Sequence, residues 1–263
     1  MIEDQTMTSR PRRGIRRGAY LLPSLFTMGN MVSGFYAIIL GLDQHFDRAI
    51  LFIVLAAALD SVDGRIARMT GTESEFGKEY DSLADVITFG AAPGMLAFFW
   101  GLREFSQDAW LLSAFFMVCT ATRLARFNVQ TRVVDSRWFV GLPSPLAALT
   151  ICALLSFALE TTGDTRVIMQ AIMGVALLVV GALMVSTFRY NSFKNLDLRK
   201  RWSYRAFVPI AALLLLFLFI PRLGLLGLAL LYTLSGPATS AISRLRSRRG
   251  RESPPPPLEG APP

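Results

Sequence analysis

Four aspartates stand close together in the chain: Asp60 and Asp63, then Asp81 and Asp85. The run reads Asp60, two residues, Asp63-Gly64, two residues, Ala67-Arg68, eight residues, Gly77, three residues, Asp81, three residues, Asp85. Helix positions three and four apart share a face. Asp60 and Asp63 therefore form one carboxylate pair and Asp81 and Asp85 another. Gly64 and Ala67 leave room beside the first pair for a ligand or a neighbouring helix. Four carboxylates in one cavity are costly unless cations offset them. Arg65 and Arg68 do not neutralise four carboxylates; two divalent cations do. An all-oxygen donor set suits Mg²⁺ or Mn²⁺ better than zinc. A metal pair would clamp the attacking and leaving oxygens of a phosphoryl transfer. An ion or proton pathway in a transporter is the other reading of acids set among apolar helices.

The elements that must position these carboxylates are long apolar blocks. Of the 263 residues, 52% are hydrophobic, more than a soluble domain of this size carries. Several blocks reach the length of about 20 residues that a helix needs to cross a bilayer. In lipid the backbone must satisfy its own hydrogen bonds, so the blocks are expected to be helices. The fold class is an all-α polytopic membrane protein of about eight transmembrane helices. The expected spans are 21–42, 49–68, 81–101, 110–128, 142–159, 166–188, 205–220 and 223–243. Around them lie a basic arm (1–20), a basic loop (189–204) and a basic, Pro-rich tail (244–263) expected to be disordered. Residues 1–20 are polar and Arg-rich and do not read as a cleavable signal.

The net charge of +8 follows the membrane rather than a nucleic acid. Eight spans put both termini on one side. With that side cytoplasmic, only Arg48, Arg103, Arg166 and Arg222 of the 27 Lys and Arg residues lie outside, the bias that topology demands. No aromatic-interleaved basic groove points to nucleic acid. Cys119 and Cys152 fall inside apolar blocks and read as small hydrophobes. The single histidine, His45, falls in an outer loop.

Asp60 to Asp85 resembles the complete signature of the CDP-alcohol phosphatidyltransferases, D-x2-D-G-x2-A-R-x8-G-x3-D-x3-D. The resemblance covers the first six spans, 21–188, as the family core, and the 205–243 pair loosely. It implies metal roles for Asp60, Asp63 and Asp81 with two Mg²⁺ or Mn²⁺ ions, and a general-base role for Asp85, which can also border the metal. It implies contacts to the CDP part of the donor from Gly64, Arg68 and Ser74. Several flanking motifs narrow the resemblance to membrane-embedded phosphatidylserine synthases. They are Phe26-Thr27 with Asn30, Ser33-Gly34-Phe35, Phe89-Gly90-Ala91-Ala92-Pro93, Arg123 to Asn128, and Phe139 to Pro145. Ser24 departs from the Asn that relatives often carry there. Thr27 and Asn30 join the expected donor-binding set; Asn30 could equally bond a neighbouring helix.

That resemblance implies transfer of a phosphatidyl group from CDP-diacylglycerol to L-serine, releasing CMP, in a homodimer at the cytoplasmic face of a bilayer (the inner membrane in a bacterium). Glycerol phosphate and inositol phosphate remain alternative acceptors. Arg123, Arg126 and Asn128 are the candidate acceptor-binding residues. One of the arginines would grip the serine carboxylate or a donor phosphate, or both would snorkel to the border.

Overall fold

The computed structural model describes the backbone of residues 21–70, 74–130, 138–191, 222, 224, 226, 227 and 229–237. Of these, the side chains of 21–24, 63–70, 130, 138–140 and 189–191 are outside the description. Residues 1–20, the expected seventh span 205–220 and the tail 244–263 lie outside the described residues.

The described chain is a helical bundle. Helix α1 (Leu21–Leu42) turns sharply into α2 (Phe46–Thr70). Gln44 takes a φ of 63° in that turn, and His45 is exposed there, as expected. The two helices pack along their lengths as an antiparallel hairpin. Helix α3 runs from Glu75 to Phe105. Ser74 caps its start by accepting a hydrogen bond from the Gly77 N–H at 3.0 Å. A single turn of 3₁₀ helix, Gln107–Ala109, leads into α4 (Trp110–Gln130). Helices α5 (Ser144–Ala158) and α6 (Asp164–Val185) complete the bundle. The described residues between 222 and 237 are helical.

Helix α3 is not a regular α-helix. It widens into π-helix over Val86–Ala91 and again over Phe98–Leu102. In the first of these the Ala92 N–H reaches back five residues to the Ile87 carbonyl. Pro93 follows at once and offers no N–H to the ladder.

The helical chain carries one small departure. Strand β1 (Trp138–Val140) pairs antiparallel with β2 (Arg189–Asn191), in the register Trp138 with Asn191 and Val140 with Arg189. The stretch expected as a loop from Arg189 thus begins as a strand, because its backbone finds a partner in the segment before α5. Gly141 follows β1 with φ +84°, and its N–H donates to the Phe188 carbonyl at 2.8 Å. A Cβ there would run into the Met184 carbonyl and the Arg126 guanidinium, so only glycine fits this turn.

Four helices among the described residues are long and apolar enough to cross a membrane: Leu25–Leu42, Glu75–Phe105, Gln107–Val129 and Asp164–Val185. Helix α5 is apolar but shorter. The core between the helices holds Ile53, Phe89, Leu96, Phe116, Ile151, Leu155, Met173 and Leu177, all fully buried. The outer faces are apolar too. Val32 and Phe35 on α1, Leu51 and Leu55 on α2, and Val175 and Val179 on α6 are exposed. Water would penalise so large an apolar exterior, whereas lipid tails match it. The protein is an integral membrane protein.

The bundle is stapled at the end away from the acidic cluster. Arg166 pairs with Glu104 at 3.3 Å, donates to the Trp100 carbonyl at 3.1 Å, and lies 5.8 Å from the Trp100 ring centre. Arg222 pairs with Glu160 and, at 3.3 Å, with Asp47, joining the helical residues after it to the ends of α2 and α5. Exposed pairs of this kind contribute about 0–1 kcal/mol each, so their role is to fix geometry.

Candidate active site

Helix α2 brings Asp60 to the same point as Asp81 and Asp85 of α3. One carboxylate oxygen from each lies within 4.8 Å of the others. Asp85 is buried, while Asp60 and Asp81 are half-buried. At an effective dielectric of about 20, two unit charges at that spacing repel by roughly 3–4 kcal/mol. Three such pairs come to about 10 kcal/mol, comparable to the whole stability of a typical fold, so a counter-charge is needed.

Arg123 of α4 supplies part of it. Its guanidinium is buried and acts electrostatically on both Asp85 and Asp60. Its Nη1 donates to Ser144 Oγ at 2.7 Å, and it sits 5.7 Å from the Phe127 ring centre. One guanidinium does not balance three carboxylates, and a divalent cation fits the remainder. The donor set is oxygen only, in keeping with a hard cation. A further oxygen, Asn30 Oδ1, is buried beside Asp85 with no hydrogen-bond partner among the described residues.

Asn30 belongs to α1 and is fully buried. Its Nδ2 donates to Asp85 Oδ1 at 3.3 Å. Its backbone carbonyl accepts from Thr88 Oγ1 at 3.1 Å. Asn30 thus bonds a neighbouring helix and meets Asp85 there. Thr27, one turn earlier, is buried on the same helix. Asp63, Gly64 and Arg68 follow Asp60 on α2, with their side chains outside the described residues.

The other expected site residues are placed as follows. Ser74 holds the start of α3 as its cap. Arg126 does not share Arg123's surroundings. It donates to the carbonyls of Val185 at 2.7 Å and Ser186 at 3.0 Å, closing the end of α6. Asn128 donates to Ser82 Oγ at 2.9 Å and to Glu79 at 3.3 Å, tying α4 to the first turns of α3. Three-residue spacing on a helix predicts a shared face, but the end of α6 binds Arg126 while Arg123 bonds Ser144.

Three site residues had no sequence signal of their own. Ser144 lies in the Phe139–Pro145 motif, but its hydroxyl partner could not be read from it. Thr88 sits in the π-helical segment. Tyr232, from the helical residues after Arg222, packs against the core. Its helix is docked on α5 by a buried contact of 3.1 Å between the hydroxyls of Thr150 and Thr233.

The chain is similar to several known proteins. A CDP-diacylglycerol–serine O-phosphatidyltransferase of Helicobacter pylori is 36% identical over 219 residues, 81% of this chain and 89% of that enzyme. The enzyme of the same name from Bacillus subtilis is 31% identical over 69% of this chain and 98% of its own length. The archaetidylserine synthase of Methanothermobacter thermautotrophicus is 39% identical over 64% of this chain and 69% of its own. Residues 20–180, which hold the three gathered carboxylates, Arg123 and the Asn30 amide, match the family described as CDP-alcohol phosphatidyltransferase. The chain belongs to the CDP-alcohol phosphatidyltransferase family.

Proposed function

We propose that this protein transfers the phosphatidyl group of CDP-diacylglycerol to L-serine, giving phosphatidylserine and CMP. The observation behind this reading is the triad of Asp60, Asp81 and Asp85 oxygens within 4.8 Å of one another, beside a buried arginine, in a chain matching most of the length of serine-using relatives. Asp60 and Asp81, with Asp63, would hold Mg²⁺ or Mn²⁺, and two ions would balance the full set of carboxylates. When bound, such ions offset charge on the pyrophosphate and on the departing CMP.

The chain's own groups do the rest. Asp85 takes the proton of the serine hydroxyl. That oxygen forms the new bond to the lipid-linked phosphorus, and the bond from this phosphorus to the CMP oxygen breaks. Arg68 steadies the nucleotide phosphate as a planar donor, with Gly64, Ser74, Thr27 and Asn30 around the donor. Arg123 is placed to meet the serine carboxylate, since a guanidinium offers a matched pair of donors. Of the three candidates, Arg123 is the one whose buried guanidinium acts on Asp85 and Asp60, so the acceptor role is assigned to it. The acceptor reaches the site from the cytoplasmic face, where both termini lie, in a homodimer.

The test is CMP release by detergent-purified protein given Mn²⁺ or Mg²⁺, CDP-diacylglycerol and one acceptor at a time. Serine-dependent release is expected. Release with glycerol phosphate or inositol phosphate but not with serine would overturn the acceptor assignment. Substrate flux without CMP release would indicate a transporter. Running a CDP-linked ether lipid in parallel sets the donor class, since one relative carries the name archaetidylserine synthase.

A further inference from the structure

Three buried threonines in this bundle share a pattern. The hydroxyls of Thr120, Thr150 and Thr233 each lie within hydrogen-bonding distance of the carbonyl four residues earlier in their own helix, as well as of one group across the bundle. The bond within the helix is the low-cost solution for a threonine in an apolar helix. Thr88 does otherwise. It is fully buried, and its hydroxyl crosses to α1, donating to the Asn30 carbonyl at 3.1 Å.

Two local features make this crossing possible. The segment Val86–Ala91 is π-helical, which changes the direction of every side chain after Asp85. Facing it on α1 is Gly34, where a Cβ would overlap the Thr88 backbone and hydroxyl. The two backbones meet there because one residue has no side chain. The partner chosen is also informative. Asn30 is the residue whose amide holds Asp85 Oδ1 at 3.3 Å. Thr88, Asn30 and Asp85 thus form a chain of hydrogen bonds that starts and ends on α3 and passes through α1.

We propose that Thr88 is a positioning residue for the transfer reaction: through the Asn30 carbonyl it fixes the amide that orients the Asp85 carboxylate. The inference rests on the transferase reading above, with Asp85 as the proton acceptor. A carboxylate gripped at one oxygen presents the other in a fixed direction. General-base catalysis depends on that direction once the acceptor hydroxyl is bound. Losing the Thr88 hydroxyl removes the bond that holds α1 and the Asn30 amide against Asp85, while Arg123 and the other two gathered carboxylates lie on other contacts.

The experiment compares Thr88→Val, which removes the hydroxyl and keeps the shape, with Thr88→Ser, which keeps the hydroxyl. Each full-length variant is purified in detergent and measured for kcat, for KM of CDP-diacylglycerol and serine, and for Mn²⁺ affinity by electron paramagnetic resonance. The expected result for Thr88→Val is a kcat lower by about tenfold, as for loss of about one hydrogen bond from the transition state. The serine KM and the Mn²⁺ affinity should stay within about twofold, and Thr88→Ser should recover most of the rate. An unchanged kcat in Thr88→Val, a loss confined to KM, or a Thr88→Ser variant no better than Thr88→Val would overturn the proposal. Should Thr88→Val fail to fold, Thr88→Ala against Thr88→Ser makes the same comparison. Wild-type protein that releases no CMP with serine but does so with another acceptor refutes the acceptor, and the Thr88 series is then read with that acceptor.

Discussion

The Asn30 amide donates to Asp85 Oδ1 across 3.3 Å, joining the middle of α1 to the foot of the π-helical segment in α3. A side chain 55 residues away in sequence therefore sets how the buried carboxylate is presented. Asn30→Ala should lower kcat by about tenfold or more, the scale of one lost hydrogen bond to a charged group. Asn30→Asp should be worse, because it sets a fourth carboxylate against Asp85. CMP release by the two variants, compared at saturating serine, checks the order.

Asp85→Asn should reduce turnover by about 100-fold to 10,000-fold, the usual contribution of a general base, while CDP-diacylglycerol still binds. Turnover close to wild type would remove Asp85 from the base role.

Asp60→Asn and Asp81→Asn should lose Mn²⁺ binding as well as activity, read by electron paramagnetic resonance. Chelation of the wild-type protein should abolish CMP release, and added Mn²⁺ or Mg²⁺ should restore it. Retained Mn²⁺ affinity in both variants would move the ion away from this triad.

Arg123→Lys keeps the charge but not the planar pair of donors. The serine KM is expected to rise by about tenfold or more, with the KM of CDP-diacylglycerol nearly unchanged. Ethanolamine, which lacks the carboxylate, gives a second readout. The variant should discriminate less between serine and ethanolamine than the wild type does.

Arg126 closes the end of α6 through the carbonyls of Val185 and Ser186. Arg126→Ala should cost about 2–3 kcal/mol of stability, the scale of a charged hydrogen-bond donor withdrawn from buried acceptors. Thermal unfolding in detergent should shift downward while kcat per folded molecule is retained. A rise in serine KM instead would return Arg126 to the acceptor site.

Much of this was legible in the residues themselves. Apolar block length placed five of the six helices to within about three residues, with α1 at Leu21–Leu42 and α4 at Trp110–Gln130. The start of α3 was missed by six residues. Glu75 to Asp85 is amphipathic and charged, so hydropathy does not mark it, and the cap at Ser74 was the available cue. The aspartate spacing brought three carboxylates to one point because helical periodicity is local. What could not be read is non-local. Nothing in the sequence pairs Arg123 with Ser144, or brings Thr233 to Thr150 from 83 residues away. The π-helical turns were hidden as well, since Pro93 marks a disturbed ladder without saying which way it yields.

Helix α3 has one more consequence, and it concerns depth. At about 1.5 Å per residue its 31 residues extend roughly 45 Å, against a hydrocarbon layer of about 30 Å. With Phe105 at the far surface, the excess matches the stretch from Glu75 to Asp85. The carboxylates then lie where acyl chains end and water begins. A donor with greasy tails and a soluble nucleotide already straddles that plane, and so does its product. Neither lipid has to leave the bilayer, and only serine and CMP travel through the aqueous phase.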